Sequence, residues 1–136
     1  MKVISKRIQI KTSKSVEIKN FTPEVIDFIR ESDVNNGFLL VHTRHTTTGL
    51  ILNENENRLI KDIENTLLKL VPKGAGYKHD QIDDNAHSHI IAALIGNSLS
   101  IPIINGSAEL GSWQSILFIE LDGPRSRTVV LQVISD

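Results

Sequence analysis

The chain has 136 residues, 40% of them hydrophobic and 4% aromatic, which is enough for one domain with a core of mainly Ile, Leu and Val. Lys plus Arg is 15 and Asp plus Glu is 16, a formal charge of -1, and that balance gives no electrostatic footprint for nucleic acid. Cysteine is absent, so disulfides, thiolate zinc sites and cysteine nucleophiles are excluded, and any metal falls to His, Asp, Glu and water.

Met1 to Thr12 alternates charged and apolar residues and lacks the apolar core of a signal peptide. No later apolar run is long enough to span a bilayer, so the chain reads as a soluble, cytoplasmic protein with no membrane partner. The alternation is best from Lys6 to Lys11 and predicts a half-buried strand. Lys11 to Lys14 reads as a turn, with Ser15 to Lys19 returning as the second strand of a hairpin. Thr22-Pro23-Glu24 starts a helix, with Thr as N-cap and Pro at the first helical position. Val25, Ile26, Phe28 and Ile29 form its apolar face, and Asn35-Asn36-Gly37 ends it.

Gly37 to Arg44 is a strand whose continuous apolar start predicts burial on both faces. Leu50 to Leu52 is again strand-like. The longest helix runs from about Glu56 to Leu70, with Leu59, Ile60, Ile63, Leu67, Leu68 and Leu70 near helical spacing. Tyr77 to Asp84 is a polar loop. Asn85 caps a short helix through Ile95, stopped by Gly96-Asn97. Leu99 to Ile104 is a strand, and Pro102 within it argues for an edge or a bulge. Asn105-Gly106 is a turn. Ile116 to Leu121 and Thr128 to Ile134 are the last strands, joined by a tight turn at Asp122 to Arg125. Seven or eight strands and three helices without βαβ alternation predict an α+β fold, two packed sheets with helices outside.

Three clusters could carry chemistry. The five histidines are His42, His45, His79, His87 and His89. Imidazole is the usual zinc ligand when thiolate is absent. No pair has the i, i+4 spacing of a helical zinc motif, however, so the spacing leaves metal ligation and ordinary satisfied histidines both open. His45-Thr46-Thr47-Thr48 can bind an anion through hydroxyls and backbone N–H groups, or can simply reflect the strand propensity of Thr. Asn53 to Asn57 either caps the long helix, with Asn55 as the cap, or turns Glu54 into a cleft as a base. Asp80, Asp83 and Asp84 divide the same way between solvated acids and functional ones. Glu120 stands inside an apolar strand, where a carboxylate needs a partner, and an ion pair is the expected solution. Arg125 and Arg127 are also candidate phosphate ligands.

Taken together, these stretches resemble the YjbQ family, often described as secondary thiamine-phosphate synthases. The resemblance runs along nearly the whole chain. It is carried by His45-Thr46-Thr47, Asn53-Glu54-Asn55, Tyr77-x-His79-Asp80 and Asp84-Asn85-Ala86-x-x-His89. It continues through Gly96-x-Ser98, Ile101-Pro102, Gly106, Gly111-x-Trp113-Gln114, Glu120 and Arg127. It implies a small α+β subunit with a β-sandwich core, assembled as a homotrimer. It also implies a polar pocket at a subunit boundary lined by His45, His79 and His89, while His42 and His87 fall outside the matched positions. The convergence of those three histidines suggests a divalent metal, zinc foremost.

The activity that the resemblance implies joins a hydroxymethylpyrimidine diphosphate to a thiazole phosphate and releases pyrophosphate. On that reading Thr46, Thr47, Asn55 and Arg127 hold a phosphorylated small molecule. Glu54 or Asp80 acts as base, and His89 takes part in the chemistry. The alternative is a trimer that binds a metal or phosphorylated metabolite without turnover. A third reading has the histidines serving only the trimer interface.

Overall fold

Strand-forming stretches open and close the chain, and their pairing decides the architecture. The computed structural model describes residues 1–136. The strands are β1 (Lys2–Lys11), β2 (Glu17–Asn20), β3 (Gly37–Thr43), β4 (Thr48–Asn53), β5 (Ser98–Ile104), β6 (Ser107–Ala108), β7 (Ser115–Glu120) and β8 (Ser126–Ser135). The helices are α1 (Thr22–Ser32), α2 (Asn57–Leu70) and α3 (Ala86–Ile95), with a 3-10 turn at Lys78–Gln81. The α+β expectation holds: all pairings are antiparallel, in one sheet of order β1-β8-β3-β5-β6 and another of order β2-β7-β4.

The two sheets pack face to face over a core that includes Leu39, Val41, Leu50, Ile101, Phe118, Leu131 and Val133, all at most 2% exposed. On the three-stranded sheet the other face is apolar too. Ile119 and Leu121 there pack with Ile91 and Ala92 of α3 and with the flanking Leu67 and Leu68 of α2. The order of layers is therefore five strands, three strands, helices. Helix α1 departs from the expected outside position. It touches β6, β7 and β8, so it reaches both sheets and sends Val25, Phe28 and Ile29 into the central core. The outer face of the five-stranded sheet carries no helix, and Phe38 and Ile104 are 41% and 46% exposed there.

The expected β1–β2 hairpin is not formed. β1 pairs with β8 in one sheet and β2 with β7 in the other, so the residues between them cross from sheet to sheet. The partners that decide this lie about 100 residues away or more, beyond the reach of a local turn signal. Two cap assignments also shift. Phe21, not Thr22, is the N-cap of α1, and the Thr22 hydroxyl accepts the Ile116 N–H at 2.8 Å. Glu56, not Asn55, caps α2 by accepting the N–H groups of Arg58 and Leu59. The Asn105-Gly106 turn is as expected, with φ of 50° and 80°, the left-handed pair that a two-residue hairpin requires. Pro102 lies opposite Phe38, one strand from the sheet edge, which β6 forms only briefly.

Candidate functional site

The β3–β4 connection, Arg44 to Thr47, is tied down by its flanking threonines. The Thr43 and Thr48 hydroxyls meet at 2.9 Å, and both are buried. The Thr43 N–H donates to the Asn97 carbonyl at 2.9 Å, and the Leu50 N–H to the Gly96 carbonyl at 3.2 Å. These bonds hold the end of α3 against the start of β4. Gly49 makes the close approach possible, because a Cβ there would stand 2.6 Å from Ile95 Cγ2. The result is an open cavity of about 350 Å³ between the end of β3, this loop and α3. Its polar lining includes His42, Arg44, His45, Thr46, His89 and Asn97, and no carboxylate.

His45 accepts the Thr128 N–H on Nε2 at 2.9 Å. A nitrogen that accepts an N–H carries no proton, so the ring's proton sits on Nδ1; burial and then the Arg127 charge lower its pKa. His79 meets Asn85 Oδ1 through Nε2 at 3.1 Å. Because that oxygen can only accept, His79 carries its proton on Nε2. Asn85 in turn donates to Asp122 at 3.0 Å. The His79 and His89 rings lie edge to face with centroids 4.9 Å apart. The three histidines of the expected metal site thus do not form a ligand set within the chain. Two of the three Nε2 atoms are already engaged, and no group of three His, Asp or Glu side chains is placed to share an ion.

Several other expected roles are reassigned. Arg127 is 4% exposed and is paired with Glu120, which is fully buried. Its Nε donates to Glu120 Oε1 at 2.9 Å and its Nη2 to Glu120 Oε2 and to Thr47 Oγ1. Thr12 adds a bond to Glu120 at 2.7 Å, and the Asp122 N–H another at 3.1 Å. Burial pushes the Glu120 pKa up, yet the Arg127 and Thr12 bonds, the Asp122 N–H and the Arg127 charge together hold it below its ordinary value. This is the ion pair expected for an acid inside an apolar strand. It occupies Arg127 and Thr47, which are therefore not free to hold a phosphate. Asp80 accepts the Ala86 N–H at 3.1 Å and caps α3 in place of the Asn85 side chain. Glu54 and Asn55 stand on the β4–α2 connection, outside the cavity wall.

Of the expected ligand-binding residues, the cavity gathers His45, Thr46 and His89. It adds His42, which the resemblance set aside, and Arg44 and Asn97, which the sequence reading passed over. The signal for the first two was period-two spacing: His42 and Arg44 lie two apart at the end of a strand and so share a face. His87 is buried elsewhere on α3, with Nδ1 unpartnered.

A family profile described as UPF0047 protein YjbQ-like matches residues 6–136. A UPF0047 protein of Methanothermobacter thermautotrophicus is 46% identical over 133 residues, covering 98% of this chain and 93% of the relative. One from Archaeoglobus fulgidus is 46% identical over 127 residues, covering 93% and 98%. The crystal structure of a hypothetical protein from Aeropyrum pernix K1 superposes with a TM-score of 0.96 at 37% identity, covering 98% of this chain and 99% of that one. A YbjQ-like protein of unknown function from Sulfolobus solfataricus P2 superposes at 0.98 with 32% identity, covering 99% of both chains. With the profile spanning almost every residue and relatives this similar over their whole length, the chain belongs to the YjbQ-like UPF0047 family.

Proposed function

We propose that the cavity binds the phosphate of a small phosphorylated molecule. We further propose that phosphate-linked group transfer or hydrolysis takes place there, thiamine phosphate formation being the form that the family resemblance implies. One observation carries the reading: the wall presents an arginine and three imidazoles without a single carboxylate. Such a wall favours an anion and repels nothing on it. Arg44 supplies the permanent charge, the His45 Nδ1–H a neutral donor, and Thr46 a hydroxyl. The same observation favours a second reading, binding without turnover. The expected carboxylate bases, Glu54 and Asp80, lie outside this wall, which leaves proton transfer to the histidines alone.

Calorimetric titration with inorganic phosphate tests the binding. Wild type should bind, and Arg44→Ala should weaken binding about tenfold or more, the worth of one charge-assisted hydrogen bond. Undiminished binding by Arg44→Ala would refute the assignment. Incubation with the pyrimidine diphosphate and thiazole phosphate then separates the two readings, since only the enzyme releases pyrophosphate.

For the assembly we propose the homotrimer that the resemblance implies. Support comes from the uncovered outer face of the five-stranded sheet, where Val3, Phe38 and Ile104 are 41% exposed or more. A monomeric mass by light scattering at micromolar concentration would count against it.

A further inference from the structure

His42 and Ser98 face each other directly across β3 and β5. His42 Nδ1 and Ser98 Oγ are 2.7 Å apart, and Ser98 Oγ lies 3.3 Å from Asn97 Oδ1. Asn97 Oδ1 can only accept, and Ser98 has one proton to give. If Ser98 donated to His42, its contact with Asn97 would be two acceptors facing each other. Both contacts are hydrogen bonds only when His42 Nδ1–H donates to Ser98 and the Ser98 O–H donates to Asn97. In such a chain each bond polarises and strengthens the next. In the neutral ring the proton is then on Nδ1, and Nε2 carries a bare lone pair. His42 lines the cavity, and Nε2 is its only nitrogen left for a ligand.

The two strand-end imidazoles of the cavity are thus opposite in kind. His45 accepts a backbone N–H on Nε2 and keeps a donor, whereas His42 donates to Ser98 and keeps an acceptor. A fully deprotonated anion satisfies donors only, and against the His42 lone pair it brings oxygen to nitrogen with no hydrogen between them. A phosphate that retains an O–H satisfies both.

We propose that His42, held in its Nδ1–H form by Ser98 and Asn97, is the specificity-determining residue of this cavity and selects a phosphate group bearing an O–H over an aprotic tetrahedral dianion. The inference rests on the anion-binding reading above and deepens it. Ser98 acts through His42 and is a positioning residue. An unpaired polar contact of this kind is worth at least about tenfold in affinity.

The test compares inorganic phosphate with sulfate, which has the same shape but carries no proton near neutral pH. Long-range proton–nitrogen NMR of the imidazoles reports the tautomer in the same samples. Wild type should show His42 in the Nδ1–H form and bind phosphate at least about tenfold more tightly than sulfate. Ser98→Ala should shift His42 toward Nε2–H and collapse that preference, while Ser98→Thr, which keeps the hydroxyl on a strand residue, should retain both. His42→Leu should lose the preference and still bind both ions through Arg44. Equal affinity of wild type for the two ions would overturn the role of His42 and leave the anion pocket standing. An Nε2–H tautomer in wild type would overturn it as well. Failure of both ions to bind would remove the anion-binding reading itself, and this inference with it.

Discussion

Replacing Glu120 by Ala removes one half of a fully buried ion pair. The carboxylate is 0% exposed and Arg127 is 4% exposed, so the guanidinium left behind has no water to turn to. It retains a single bond, to Thr47, and Thr12 and the Asp122 N–H each lose an acceptor. Breaking a buried pair from one side costs about 3 to 5 kcal/mol. At roughly 3 °C of melting temperature per kcal/mol for a chain of this size, the expected loss is about 9 to 15 °C. Thermal denaturation followed by circular dichroism gives the shift, and urea unfolding gives the free energy. The double variant Glu120→Leu, Arg127→Met should recover most of the loss, since apolar side chains of similar volume replace a buried pair at little cost. A shift of Glu120→Ala below about 1 kcal/mol, the range of an exposed pair, would refute the account of Glu120 and Arg127 as a desolvated unit.

The same carboxylate makes stability depend on pH. Its folded pKa is lowered, so its contribution is full above the unfolded value, about 4.3, and is lost as pH falls through the folded value. Wild type should therefore lose stability through that acid window more steeply than Glu120→Gln in parallel urea titrations, and equal slopes would contradict it. Gly49→Ala puts a methyl 2.6 Å from Ile95 Cγ2 and 3.4 Å from the Gly96 carbonyl. It should cost about 1 to 3 kcal/mol by overpacking, read by urea unfolding, and weaken phosphate binding as α3 is pushed from β4; a neutral outcome on both would show that α3 yields freely. Elemental analysis of protein offered zinc should give the same content for wild type and His45→Ala, because His45 Nε2 already serves the Thr128 N–H. One zinc per chain, lost in the variant, would restore the three-histidine site.

Most elements were legible because their apolar spacing reports a local period. Leu59, Ile60, Ile63, Leu67 and Leu68 mark α2, and Glu120 announced its partner because a buried acid requires one. What escaped depends on contacts that no local period reports. Nothing near Lys11 says that β1 will join β8 and β2 will join β7. Asp80 reads as a solvated loop acid until the 3-10 turn brings it beneath the Ala86 N–H. For the site, His45, Thr46 and His89 of the expected residues come to line one cavity. Arg127 was misplaced, since a basic residue near a strand start looks the same whether it faces solvent or an internal carboxylate. His42 and Ser98 meet only because β3 and β5 run side by side in this register.

Helix α2 is 14 residues long and has no buried residue, although one side of it leans on the three-stranded sheet. Its attachment is therefore cheap to undo, and its amides should exchange with solvent through an opening well below the free energy that unfolds the sandwich. The cavity is framed by the end of β3, the loop after it and α3, and none of its lining residues lies on α2. The molecule can thus breathe along one flank without losing a residue of the cavity wall.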